Sequence, residues 1–204
     1  MLKYLFITFF GLFATTATYE APDINKSDDI PADPFLAILN LPPSIGDVID
    51  SFNGVQVYYN GEEGNVFGRN MTADNYNLGL KYQCVEFVKR FYFIHYGHRM
   101  RDSYGHAKEL FDENLPDRKL NHDRGLYQFI NGSEYRPLPG DLVVFDGNYK
   151  NPYGHAGIVT FSKGDRMEII HQNVGEQTRE RFIVSEINNR YFVVDPDVKG
   201  WMRK

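Results

Sequence analysis

The feature that most constrains this fold is a run of short apolar segments that begins at Pro139. Pro139-Gly140-Asp141 is turn chemistry, and it feeds Leu142-Val143-Val144-Phe145, a short segment of strand type. Residues 156–161, 167–174, 181–184 and 191–194 repeat the pattern, separated by Gly, Asn, Asp and Pro. Short strands joined by tight turns predict an antiparallel sheet. The chain before them reads as one strand, Val55–Tyr59, between Gly54 and the turn Asn60-Gly61, followed by helices. One helix starts at Cys84 and ends at Gly97; a second covers Tyr104–Asn114 and stops before Pro116, with irregular chain on to Gly132. The expected class is α+β, with N-terminal helices packed on an antiparallel β-sheet.

A sheet of this size needs one core, and 204 residues with 42% apolar content suffice for a single domain, expected over 44–204. Met1-Leu2-Lys3, the apolar run Tyr4–Ala14 and the small residues Thr15, Thr16 and Ala17 have the three-part shape of a signal peptide over 1–17. The apolar run is short for a bilayer span, so the expectation is a secreted or periplasmic protein with no stable membrane span after leader removal. Residues 18–43 form an acidic, proline-containing linker, within which Phe35–Leu39 could dock as a short amphipathic turn. A net charge of −5 argues against a nucleic-acid partner and tolerates a cationic substrate. Sequons occur at Asn25, Asn70 and Asn131, with chance occurrence as the default reading. His95, His98, His106 and His122 have no convincing metal-ligand spacing, so neither a metal nor a cofactor is expected.

Cys84 is the sole cysteine, so no internal disulfide is possible. In the first turn of its helix, unpaired N–H groups and the positive dipole end favour a thiolate. A lone Cys on an apolar helix face is more often a small buried hydrophobe, and a base elsewhere must decide.

Gly154-His155-Ala156-Gly157 opens a strand with a histidine between small residues, and Met167–Asn173 returns after Ser162-Lys163-Gly164-Asp165. If Ser162-Lys163-Gly164 is a three-residue loop, Phe161 pairs with Asp165 and His155 lies directly opposite His171. Cβ atoms would then be roughly 5 Å apart, with Asn173 a diagonal neighbour at roughly 7 to 8 Å. A two- or four-residue loop would flip the parity. With the sheet packed on the Cys84 helix, His155 takes the thiol proton, an ion pair holds the thiolate, and His171 or Asn173 orients the ring.

Three motifs now carry a resemblance: Tyr82-Gln83-Cys84-Val85-Glu86-Phe87, Pro139 to Phe145, and Gly154-His155-Ala156-Gly157-Ile158-Val159. They resemble the CHAP family of cysteine, histidine-dependent amidohydrolases and peptidases, and within it the amidase domain of glutathionylspermidine synthetase/amidase. The similarity runs from about Ser44 to the C-terminus, including Phe129–Ser133 and Gly200-Trp201-Met202. The resemblance implies a papain-like fold, Cys84 as nucleophile, His155 as general base and acid, and Gln83 with Cys84 at the oxyanion. The family's acidic orienting residue does not carry over, because His171 stands at its position, whereas Asn173 does. Glu86 and Lys89 are candidate substrate-binding residues, although Glu86 reads better as a helix-surface or structural acid.

Three functions compete. The first is a thiol amidohydrolase on glutathionylspermidine or a similar peptide–polyamine conjugate. The second, which the leader favours, is a secreted CHAP amidase or endopeptidase acting on cell-wall peptides. The third is an inactive binding protein that keeps the fold, motivated by His171.

Overall fold

The computed structural model describes residues 42–101 and 105–204. The leader, nearly all of the linker and the Phe35–Leu39 turn lie outside the described residues. Two small hairpins come first: β1 (Val48–Phe52) with β2 (Val55–Tyr58), and β3 (Arg69–Met71) with β4 (Asn77–Leu80). Helix α1 (Cys84–Tyr96) follows, then β5 (Lys119–Asn121), β6 (Leu126–Ile130), β7 (Leu142–Phe145), β8 (His155–Lys163), β9 (Arg166–His171), β10 (Arg179–Ile187), β11 (Arg190–Val193) and β12 (Val198–Arg203). The last eight strands form one antiparallel sheet in the order β11-β10-β9-β8-β7-β12-β6-β5.

The expected plurality of helices is corrected. Among the described residues α1 is the one α-helix, and the expected helix over Tyr104–Asn114 shrinks to a 3₁₀ turn at Ala107–Leu110. Its apolar spacing is satisfied by one turn, since Ala107, Leu110 and Phe111 are already buried. The Glu109 carboxylate accepts from His106 N at 3.0 Å, the Lys108 N–H goes to the Tyr153 carbonyl, and Phe111 is extended. With those groups committed elsewhere, an α-helical ladder cannot propagate. The stretch expected to be irregular up to Gly132 instead holds β5 and β6, paired through Asn121↔Leu126.

Helix α1 forms where expected. Gly97 closes it at φ 60, and its N–H caps the Tyr92 carbonyl. Phe87, Val88, Phe91 and Tyr92 are fully buried against Val55, Val57, Leu142, Val144 and Ile158, while Ile94 is exposed. The opposite face of the sheet builds a second core around Trp201, Val143, Val159, Ile169 and Phe182. The sheet is therefore apolar on both faces, and α1 covers the face toward which Ala156, Ile158 and Ile170 point.

The β8–β9 hairpin decides the site. The turn is not the expected three residues: Lys163 pairs with Arg166, leaving a two-residue turn, Gly164-Asp165, with Gly164 at φ 61 in the first central position. Such a turn by itself would put His155 and His171 on opposite faces. A bulge restores the parity: Phe161 pairs with Glu168 and Val159 with Ile169, so Thr160 is the extra residue. His171 consequently lies opposite Gly157 rather than opposite His155, and the two histidines are diagonal neighbours on one face.

Candidate active site

Cys84 occupies the first position of α1, behind an N-cap residue, Gln83, in extended conformation. Gln83 makes no side-chain cap to the helix, so the N–H groups of the first turn stay directed at the thiol's surroundings. Strand β4 approaches this turn closely because Gly79, at φ 133, has no side chain: a Cβ there would lie 3.0 Å from Glu86 Cα.

A cavity of about 670 Å³ is lined by this turn, by His155, by Arg69 of β3 and by the loops around Glu63, Lys150 and Tyr153. His155 Nε2 is 3.0 Å from His171 Nδ1, and the two rings meet edge to face at 5.0 Å. Gly157 makes this diagonal contact feasible. A Cβ there would crowd Ile170 O at 3.1 Å and His171 Cβ at 3.3 Å.

Among the described residues Asn173 makes no hydrogen bond to His155. At φ 72 the chain has already left β9, and the amide is engaged elsewhere. Asn173 Nδ2 donates to Gln83 Oε1 at 2.8 Å and to Glu63 O at 3.1 Å, while its Oδ1 accepts from Asn60 Nδ2 at 2.5 Å. Gln83 is thereby occupied as well: its Nε2 donates to Asn65 O at 2.7 Å. Of the two groups expected at the oxyanion, the Cys84 backbone N–H in the first turn is the better placed.

Glu86 and Lys89, the candidate substrate-binding residues, do not line the cavity. Both are buried on α1 facing the small hairpins, at 0% and 1% exposure. Glu86 accepts from Arg90 Nε at 2.6 Å, Asn70 Nδ2 at 2.7 Å and Gln172 Nε2 at 2.9 Å; Lys89 Nζ donates to Asn77 O at 2.6 Å. A carboxylate and a guanidinium, both dry, are satisfied by one another and by neutral amides.

Gln172 is the residue that sequence reasoning passed over. It is buried, its Oε1 accepts from Tyr58 N and Arg90 Nη2, and its Nε2 donates to Glu86 Oε2 and Gln83 O. It thus joins the end of β9 to the N-cap of α1. Alternation could have found it, since it shares parity with Ile170, which faces α1.

Burial sets the electrostatics. It pushes the Cys84 thiol up to about 11, against the pull of hydrogen bonds from the Ala156, Val85 and Cys84 backbone, and the Glu63 carboxylate adds to the rise. Burial also pulls His155 down to about 3, helped by His171, and His171 down to about 4, against the Gln177 carbonyl. Burial thus favours a neutral thiol and a neutral imidazole on the wall of one cavity over the expected ion pair. His171 Nε2 is buried with no hydrogen bond of normal geometry among the described residues. No three His, Cys, Asp or Glu side chains among those residues are grouped to hold a metal ion.

A family model described as CHAP domain matches residues 74–173, from the β3–β4 turn through α1 to Asn173. The chain carries a CHAP domain. The bifunctional glutathionylspermidine synthetase/amidase of Escherichia coli (strain K12) is 36% identical over 149 residues, covering 66% of this chain and 23% of that protein. The protein of the same name from Shigella flexneri gives the same figures. Trypanothione synthetase of Crithidia fasciculata is 29% identical over 120 residues, covering 58% of this chain and 18% of that one. This CHAP chain therefore spans less than a quarter of the length of the curated relatives it matches. Among solved structures, the wild-type endolysin LysIME-EF1 aligns at a TM-score of 0.35 and 19% identity over 69% of this chain and 57% of that chain, a likeness too slight to argue from.

Proposed function

We propose that this CHAP domain is a cysteine amidohydrolase in which Cys84 attacks an amide carbonyl and His155 moves the proton. The observation that carries the reading is the contact between His155 Nε2 and His171 Nδ1 beside the helix-borne thiol. With Nε2 engaged, Nδ1 is the nitrogen left for Cys84. For Nδ1 to accept, Nε2 must carry the hydrogen and donate it to an unprotonated His171 Nδ1, which places the His171 proton on Nε2. The Gln177 carbonyl near that ring favours a proton on it. His171 thus fills the orienting role, and helix-borne thiol against sheet-borne imidazole is the papain-like arrangement.

Because both groups rest neutral, the proton moves as substrate is attacked. The thiol proton passes to His155 Nδ1 while Sγ bonds to the carbonyl carbon, and the oxyanion faces the Cys84 N–H. The C–N bond then breaks and the amine leaves with that proton. Water, giving a proton to His155, attacks the thioester; the C–S bond breaks, the acid departs and Sγ recovers its proton.

The substrate favoured is glutathionylspermidine or a related peptide–polyamine conjugate, supported by the similarity to the Escherichia coli protein of that name. Peptidoglycan peptides are the second reading, favoured by the leader-like residues 1–17, which would send the protein out of the cytoplasm. Incubating purified protein with glutathionylspermidine and, separately, with sacculi separates the two. Spermidine release that Cys84→Ala abolishes is expected; peptide release from sacculi alone would shift the assignment to the wall. No turnover of either, with a thiol that alkylates like free cysteine, would leave only a binding protein.

A further inference from the structure

We infer that Glu63 is a specificity-determining residue of this site, whose carboxylate receives a positively charged group of the substrate beside Cys84 and couples that binding to the reactivity of the thiol. The inference rests on the reading of Cys84 as nucleophile, and deepens it.

The position of Glu63 is built, although the residue is exposed on the wall of an open cavity. Its carbonyl accepts from Asn173 Nδ2 at 3.1 Å and from Gln83 Nε2 at 3.4 Å. Those two amides belong to a closed ring. Asn60 Nδ2 donates to Asn173, Asn173 to Gln83 Oε1, Gln83 Nε2 to Asn65 O, and Asn65 Nδ2 back to Asn60 O at 2.8 Å. The ring pins the 60–65 loop to the N-cap of the nucleophile's helix and to the end of β9. Residue 63 is held on the cavity wall with Cys84 and His155.

At that place a carboxylate is costly to the chemistry proposed for Cys84. A negative charge near the thiol opposes the thiolate, and Glu63 is the charge that does so here. Burial already works in the same direction, so an unpaired Glu63 makes a reluctant nucleophile more reluctant. Among the described residues no hydrogen bond or ion pair engages its carboxylate. The other charged or titratable groups on the cavity wall, besides Cys84 itself, are Arg69 from β3, His106 ahead of the 3₁₀ turn, Lys150 and Tyr153 from the β7–β8 loop and His155 from β8. An ammonium group bound at Glu63 cancels the opposing charge at the moment the scissile amide arrives. Substrates with a cationic amine within reach of the amide then meet a thiol that ionises more readily, and neutral amides do not.

The test titrates the thiol directly. The pH midpoint of Cys84 alkylation by chloroacetamide is measured for the wild type and Glu63→Gln, each with and without spermidine at matched ionic strength. The side chain is exposed and the substitution keeps every backbone bond of the loop, so folding is retained. The expected midpoint of Glu63→Gln lies below the wild type by a few tenths of a unit to about one unit. Spermidine should bring the wild type to that value and leave the variant in place. Equal midpoints in both proteins, or a spermidine shift that persists in Glu63→Gln, would overturn the inference. With turnover established, the ratio of kcat/KM for a spermidine amide over a neutral alkylamide of similar length should fall in Glu63→Gln. Absence of all turnover would defeat the amidase reading while leaving the thiol titration to be read.

Discussion

Two buried polar groupings flank the N-terminus of α1, and they are built on opposite plans. On the hairpin side, Glu86, Arg90, Gln172 and Asn70 form a saturated network in which the carboxylate meets three donors and the guanidinium reaches Glu86, Gln172 Oε1 and Gln56 O. On the cavity side, His155 and His171 share one hydrogen bond, and His171 Nε2 has no partner of normal geometry among the described residues. The first grouping is saturated by its own members and serves as scaffold. The second is kept neutral by burial, so a proton can pass through it. Dryness alone does not make a site; unsatisfied capacity next to a cavity does.

Substitutions can break that contrast. The largest effect is expected from the reacting groups: Cys84→Ala and His155→Ala should each lower kcat by about a thousandfold or more while leaving the melting temperature nearly unchanged. Glu86→Ala should do the reverse, leaving Arg90 buried without its carboxylate and costing about 3 to 5 kcal/mol of stability, seen in denaturant unfolding. Activity per folded molecule that collapses along with stability would show that the scaffold and the site are not separable.

Acid should act on the second grouping. His171 is 3% exposed and its folded pKa, about 4, lies below the ordinary value of 6.5, so the unfolded chain binds the proton first. Stability from this source is complete above pH 6.5 and is lost as pH falls toward 4, by about 2 to 3 kcal/mol. The urea midpoint of His171→Asn should therefore depend less steeply on pH over that window. The same variant keeps an acceptor for His155, so its kcat should fall only about tenfold, well short of the roughly thousandfold or more for losing the base itself. If its acidic pH–rate limb matched the wild type, His171 would not be titrating with the base. Asn173→Ala sets the lower bound: less than about tenfold, expressed in KM with no change in the acidic limb, the scale of a lost neutral hydrogen bond.

The sequence was most legible where one residue decides. Gly97 ends α1, Pro139-Gly140-Asp141 leads into β7, and the lone cysteine stands at the helix start. It was least legible where pairing partners are distant. Glu86 and Lys89 look like surface charges on a helix until the β1–β2 and β3–β4 hairpins close over them, and β3 and β4, with Arg69-Asn70-Met71 and Asn77-Leu78-Gly79-Leu80, offer no strong alternation. Strand β12, central between β7 and β6, is recognisable only by its neighbours. Spacing offers Asn173 to His155 as an alternative to His171, and it cannot foresee a left-handed residue at the strand end.

The bulge at Thr160 and the short turn at Gly164-Asp165 act as a phase pair. Each alone shifts the hairpin by half a pleat, and only their sum returns His155 and His171 to the same side. Removing Thr160, or lengthening the turn by one residue, would invert the segment that carries His155 without altering any residue of the site. A change of two residues in the turn would keep the phase and slide His155 by one pleat repeat. In this domain, therefore, the spacing between the two histidines is a mechanical setting as much as a chemical one, and a single insertion far from the cavity can switch it off.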